Sequence, residues 1–154
     1  MEINQIQLNK EQISNEKIKN LYLQMQELIE KLNHKNIPSE TVQFINQKIV
    51  DVNNTTLTGS QLQKHLKTTQ TTIIKKLETE HKIVPKNYYR NLWTALGMSA
   101  FGLPFGLLFG LLMGNIALFA IGLPIGLAIG VGVGTSMDKK ALQEGRQIDI
   151  ELKF

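Results

Sequence analysis

Hydrophobic residues follow two different patterns along this chain of 154 residues. From residue 1 to 90 they recur every three or four positions among polar residues, whereas from 91 to 137 they are nearly continuous, without one Asp, Glu, Lys or Arg. The first pattern is typical of amphipathic helices, and the second of a segment that crosses a membrane. The sequence therefore predicts an all-α chain: a polar helical domain (1–85), a transmembrane hairpin (86–138) and a short cytoplasmic tail (139–154).

The polar domain is predicted to contain three amphipathic helices. The first spans residues 11–32, the second begins at Pro38–Ser39, and Ser60 is the candidate cap of the third. Their apolar stripes are Ile18, Leu21, Met25, Leu28 and Leu32; Val42, Ile45, Ile49 and Val52; and Leu62, Leu66, Ile73 and Leu77. The first stripe also fits two coiled-coil heptads, so the helices form either a bundle or a self-associating coiled coil. Two heptads are short for a coiled coil, which favours the bundle.

The charge-free run is long enough for two membrane helices of about 20 residues each. We predict spans near residues 92–113 and 116–137, joined by a turn at Gly114–Asn115. Aromatic and basic residues flank the run, and we predict that they lie at the membrane interface: Tyr88, Tyr89, Arg90, Trp93, Lys139 and Lys140. The positive-inside rule then predicts that both flanks of the hairpin, and with them both termini, lie in the cytoplasm. The alternatives are a glycine-rich core of a soluble protein and a shallow re-entrant pair, which Pro104 and Pro124 allow.

Glycine recurs every fourth residue within this run. Ten of the 12 glycines lie between Gly97 and Gly134, and eight of them form two ladders: Gly102, Gly106, Gly110 and Gly114, and then Gly122, Gly126, Gly130 and Gly134. The segment from Gly102 to Gly114 recurs, offset by 20 residues, from Gly122 to Gly134. Because glycine removes the side chain, such a ladder lets a neighbouring helix backbone approach closely in lipid. The ladder glycines are therefore the predicted helix-packing residues.

The ladders resemble those of bacterial glycine-zipper membrane proteins, a class of small helical-hairpin proteins that includes pore-forming and oligomeric membrane segments. The resemblance covers Gly97 to Gly134, and the flanking stretches "YYRNLWTALGMSAFGLPFG" and "GTSMDKKALQEGRQIDI" are similar to those of small bacterial hairpin proteins. It implies close helix packing and a homo-oligomer in the lipid bilayer of the bacterial inner membrane.

The end of the chain, "RQIDIELKF", alternates apolar and polar residues with the period of a β-strand. This segment either pairs with an edge or a partner, or remains a frayed tail. A protein partner is therefore predicted to bind through this tail or the N-terminal helices.

The composition argues against several functional classes. The chain has no cysteine, its net charge of +4 is mild, and His34, His65 and His81 lie apart in the sequence, where solvated side chains are expected. We find no phosphate-binding or catalytic motif. We therefore expect no enzyme, with no catalytic or metal-binding residue and no cofactor, and no nucleic-acid partner. The expected function is a membrane-anchored structural or interaction protein that tethers the polar domain. The alternative is a pore-forming toxin, effector or holin-like protein.

Overall fold

The computed structural model describes residues 2–13 and 15–152 and is mostly helical. The helices are α1 (Glu16–Asn33), α2 (Ser39–Asn53), α3 (Gly59–His81), α4 (Tyr88–Gly97), α5 (Leu103–Leu112) and α6 (Gly122–Gln143). Two short strands, β1 (Val84–Pro85) and β2 (Gln147–Ile148), pair with each other. The chain divides into two compact units. We call residues up to Pro85, with those from Ile148 onward, the polar unit, and residues 86–147 the apolar unit.

The core of the polar unit is built from the predicted apolar stripes, and all their members are buried. Both α1 and α2 pack against α3. The prediction that α1 begins at residue 11 was wrong, because residues 9–12 form a turn and Asn15 caps the helix. The Asn15 side chain accepts a hydrogen bond of 2.9 Å from the Ile18 N–H, which satisfies one of the free donors of the first turn.

The other two helix starts of the polar unit differ in how well they were predicted. Helix α2 begins at Ser39, as expected after Pro38. Helix α3 begins at Gly59, so Ser60 lies inside its first turn and does not cap it. Thr58 occupies the cap position in an extended conformation, without a side-chain hydrogen bond to the helix.

The C-terminal residues add three apolar side chains to the polar unit. Ile148, Ile150 and Leu152 are buried, which gives the alternation predicted for a strand, although only Gln147–Ile148 has strand geometry. Residues 139–143, predicted to belong to the tail, continue α6. Phe154, the last apolar residue of the predicted pattern, lies outside the described residues.

The apolar unit contains two helical stretches, Tyr88–Leu112 and Ile116–Gln143, that are long and apolar enough to cross a membrane. At 1.5 Å per residue they extend over about 37 Å and 42 Å, compared with a hydrocarbon core of roughly 30 Å. The first stretch begins four residues before the predicted start at 92 and the second continues past the predicted end at 137. The predicted flanking residues are thus part of the helices themselves.

A turn at Met113–Gly114 ends α5, next to the predicted position Gly114–Asn115, and hydrogen bonds explain why the helix ends there. The Asn115 N–H donates to the Gly110 carbonyl at 3.1 Å and the Gly114 N–H to the Leu111 carbonyl at 3.3 Å, the pair of bonds that defines a Schellman motif. Gly114 has a φ of +60°, where a side chain would be strained. Asn115 then accepts a hydrogen bond from the Ala117 N–H and starts a 3₁₀ segment, Ile116–Ile121.

Candidate functional site: the glycine interface of the apolar unit

The two glycine ladders face each other within a single chain. Gly102 lies against Gly122 and Leu123, and Gly106 lies against Phe119. From the other side, Gly126 lies between Gly97 and Gly102. The remaining contacts continue in the same direction, with Gly130 against Trp93 and Thr94 and with Gly134 against Tyr89 and Arg90. The two helical stretches therefore run in opposite directions, with their backbones in contact along most of their length.

The backbones approach so closely that no side chain fits between them. A Cβ atom placed on Gly126 would lie 2.5 Å from both the Gly97 carbonyl oxygen and the Gly102 nitrogen. A Cβ on Gly134 would lie 2.5 Å from the Arg90 Cα. On Gly122 and Gly130 it would collide with the carbonyl oxygens of Gly102 and Trp93. Since all these neighbours are backbone atoms, no rotamer change could relieve the overlap.

A π turn brings Gly97, which lies outside both predicted ladders, into the same interface. Gly97 precedes Gly102 by five residues, so a continuous α-helix would point the two in different directions. Between them, Met98–Gly102 forms a π-helical turn, closed by a hydrogen bond from the Leu103 N–H to the Met98 carbonyl. The wider turn accommodates the extra residue. Gly97 consequently lies against Gly126 and Gly130.

Three glycines of the run are not tightly enclosed. A Cβ on Gly110 would meet Ile116 at 3.7 Å, an ordinary contact distance. A Cβ on Gly114 or Gly132 would have no neighbour within 4 Å. Gly114, the last member of the first predicted ladder, is thus part of the turn and not a helix-packing residue. The close packing extends from Gly106 and Phe119 to the opposite end of the unit, where Gly134 lies against Arg90.

The large apolar side chains lie on the outside of this unit. Leu111 and Leu112 are 70% and 75% exposed, and in the most apolar window of each helical stretch only 22% and 17% of the residues are buried. The other exposed apolar side chains include Leu103, Phe105, Leu107, Leu108, Ile121, Leu127 and Val133. Small residues inside and large ones outside are the reverse of the arrangement in the core of a water-soluble protein.

Asp138 closes the interface at the end where α4 begins. Its position continues the four-residue period that runs from Gly122 to Gly134, and only 7% of its surface is exposed. Its two carboxylate oxygens accept hydrogen bonds from the Tyr89 and Arg90 N–H groups, at 3.1 and 2.9 Å. Asn87, at the cap position of α4, makes no side-chain cap bond, so α6 supplies the cap. A carboxylate at this helix end also interacts favourably with the helix dipole.

The residues predicted to lie at the membrane interface are at the same end of the apolar unit as Asp138. The rings of Tyr88 and Tyr89 meet edge to face, 5.3 Å apart, and Tyr89 is buried whereas Tyr88 is half-buried. Trp93 is half-buried, and its backbone carbonyl lies against Gly130. Arg90, Lys139 and Lys140 are exposed. Sequence reasoning missed Gly97 and Asp138, although the four-residue period pointed to the latter.

The histidines lie in the polar unit and differ in their surroundings. His34 is exposed, as expected, but the Nε2 atom of His65 is buried and makes no hydrogen bond. His81 Nε2 lies 2.8 Å from the hydroxyl of the buried Thr41. In residues 2–13 and 15–152, no three His, Cys, Asp or Glu side chains are grouped as metal ligands would be. Comparison of the chain with protein-family models, curated proteins and solved structures gave no match.

Proposed function

We propose that this chain is a membrane-anchored structural or interaction protein, whose apolar unit inserts as a two-span hairpin and tethers the polar unit to the membrane. The observation that carries the proposal is the combination of backbone contact at the glycines with large apolar side chains on the outside. Water would solvate such an outer surface poorly, whereas lipid chains solvate it well. The glycines then supply the close packing that helices need in lipid, where the hydrophobic effect does not hold them together.

The ladders are proposed to close the hairpin within one chain. Gly102, Gly106, Gly122, Gly126 and Gly130 are already in contact with the opposite helical stretch, so they are not available to a second chain while the hairpin is closed. A homo-oligomer of the kind suggested by glycine-zipper membrane proteins would therefore use the outer apolar face or the polar unit. The close backbone contact also leaves no lumen between the two stretches of one chain, which favours a tether over a pore.

The proposed topology places both ends of the hairpin on the cytoplasmic side of the bacterial inner membrane. Gly134 lies against Arg90, so the start of the first stretch and the end of the second lie at the same end of the unit. This end carries Arg90, Lys139 and Lys140, whereas the Gly114–Asn115 turn is uncharged. Basic residues are retained on the cytoplasmic side.

Membrane extraction and reporter fusions test this function together. The full chain, expressed in bacteria, should stay in the membrane pellet after alkaline carbonate washing. A cytoplasmic reporter fused after Phe154 should be active, and a periplasmic reporter inserted after Gly114 should be active as well. A chain that appears in the carbonate supernatant would refute the membrane anchor. Release of an encapsulated dye from vesicles by the purified chain would instead support the pore-forming alternative.

A further inference from the structure

The N-terminal segment of the polar unit, residues 2–7, is extended and lies along α1 and α2. Two of its side chains, Ile3 and Ile6, are buried. The rest of its attachment consists of hydrogen bonds between its backbone and side chains of the two helices, and these bonds place no demand on the identity of the segment's own side chains.

Two asparagines of α2 bind this backbone in the same way. Asn46 accepts a hydrogen bond from the Asn4 N–H at 2.7 Å and donates one to the Glu2 carbonyl at 3.1 Å. Asn53 accepts from the Gln7 N–H at 2.8 Å and donates to the Gln5 carbonyl at 3.1 Å. Each amide thus contacts the N–H of one residue and the carbonyl of the residue two positions earlier.

The spacing of the two asparagines matches the spacing of an extended chain. Seven residues of an α-helix rise about 10.5 Å, and three residues of an extended chain span about 10 Å. Asn46 and Asn53 are therefore in register with Asn4 and Gln7. The match makes α2 a repeating support for an extended peptide, in which every third residue of the peptide meets an amide.

Helix α1 forms the other side of this groove. The Asn33 side chain accepts a hydrogen bond from the Ile3 N–H at 2.8 Å and donates to the Ile3 carbonyl at 3.4 Å, and the Tyr22 hydroxyl donates to the Ile6 carbonyl at 3.3 Å. A cavity of about 500 Å³ extends between the segment and α1, lined by Ile6, Ile29 and Asn33 among others. The segment is thus held by its backbone and by two isoleucines, with this cavity beside it.

We propose that this groove, lined by Asn33, Asn46 and Asn53, is a binding site for an extended peptide with isoleucines three residues apart, and that residues 2–7 occupy it as an exchangeable internal ligand. The occupant that replaces the internal segment is the same segment of a second copy of this chain. A second copy carries the backbone and the two isoleucines that the groove already accommodates, and exchange of an identical segment between two chains needs no new contact. The proposal adds a partner site to the proposed tether, but it depends only on contacts within the polar unit.

A labelled peptide of residues 1–8, MEINQIQL, tests the site with the full chain in detergent micelles. The chain variant Ile3→Asp/Ile6→Asp weakens the internal ligand and leaves the groove unchanged, so it should bind the peptide at least tenfold more tightly than the parent does. Adding Asn46→Ala and Asn53→Ala removes four hydrogen bonds, which should weaken binding by tenfold or more. A peptide with aspartate in place of both isoleucines is the matched control. Equal and weak anisotropy changes for all chains and peptides would overturn the proposal.

Exchange between two chains is tested by complementation and by a measurement on the parent. The Ile3→Asp/Ile6→Asp chain offers a groove, and an Asn33→Ala/Asn46→Ala/Asn53→Ala chain offers a segment. Fluorescence energy transfer between labelled chains should be higher in a mixture of the two variants than in a sample of either variant alone. Addition of the free peptide should abolish this excess. In the parent, the amides of Ile3, Asn4 and Gln7 should exchange hydrogen faster than those of α1, since the segment opens locally. Hydrogen exchange of these amides at the rate of the α1 amides, or no excess energy transfer, would refute an exchangeable ligand, whatever the carbonate extraction shows.

Discussion

Substitution of Gly126 by alanine is the sharpest test of the glycine interface. The new Cβ would lie 2.5 Å from the Gly97 carbonyl oxygen and the Gly102 nitrogen and 2.7 Å from the Gly102 Cα, whereas ordinary contact begins at 3.4 Å. The helical stretches must therefore separate locally by about 0.9 Å (3.4 minus 2.5). A gap of 0.5–1 Å forfeits roughly a quarter to a half of the dispersion energy of the contacts that it opens.

Gly132 provides a matched control on the same helix. Its Cβ would meet nothing within 4 Å, so Gly132→Ala changes helix propensity and apolarity without changing the packing. Replacing glycine by alanine favours a helix by about 1 kcal/mol in water, and this contribution is shared by both variants. Overpacking costs about 1–3 kcal/mol. We therefore expect the Gly126→Ala chain to be about 1–3 kcal/mol less stable than the Gly132→Ala chain.

The difference can be measured by titrating each chain with a denaturing detergent in mild micelles. The backbone carbonyl of Trp93, the single tryptophan, lies against Gly130 and its side chain is half-buried, so separation of the two stretches should change the surroundings of the ring and its fluorescence. Helicity should persist in both variants, because insertion does not depend on the glycine contact. Equal unfolding midpoints for Gly126→Ala and Gly132→Ala would refute the conclusion that the ladders pack within one chain.

Three further predictions concern single residues. Asp138→Ala should lower the free energy of unfolding by about 1–3 kcal/mol, because the Tyr89 and Arg90 N–H groups lose their acceptors, and Lys139→Ala, measured in the same detergent titration, should not. Gly114→Ala should lower the free energy of unfolding by about 1–2 kcal/mol, because alanine is strained at the positive φ of this residue. The new Cβ would meet no neighbour, so the cost would come from the backbone alone; a cost no larger than that of Gly132→Ala would contradict this. The hydrogen bond from Lys76 lowers the pKa of Glu80, so the associated stability is present at neutral pH and is lost as the pH falls through the lowered pKa. Lys76→Gln should raise that pKa in an NMR titration, and an unchanged value would contradict the assignment.

Local patterns were sufficient to predict the helices and their buried faces. Each stripe residue from Ile18 to Leu77 is buried because the three-to-four-residue period places apolar side chains on one side of a helix, wherever that helix packs. The turn at Gly114–Asn115 followed from two residues that favour it. The two helices that are long and apolar enough for a membrane followed from a run without charge. Helix ends were predicted less well. The hydrogen bond by which Asn15 caps α1 is not revealed by composition, and Thr58 precedes α3 without a side-chain cap bond.

Only the tertiary structure decided what each glycine contacts. The sequence allowed the ladders to bind another chain or to close on each other, and the distances at Gly122 and Gly126 place the contact within one chain. Gly97 was not recognisable, because its five-residue spacing from Gly102 matches the interface only through a π turn. Asp138, at the edge of a charge-free run, suggested a membrane boundary, yet it caps a helix 48 and 49 residues away in the sequence.

The N-terminal segment shows most clearly the difference between what the sequence predicts and what only the tertiary structure reveals. No sequence pattern marks Ile3 and Ile6 as buried, or Asn46 and Asn53 as hydrogen-bond partners of residues more than 40 positions away. The sequence by itself determined the helical periods, the charge-free run and the turn, because these depend on residues close together along the chain. The opposed glycines, the Asp138 cap and the asparagine-lined groove were decided only by the tertiary structure, since each requires groups distant in sequence to come within hydrogen-bond or van der Waals distance.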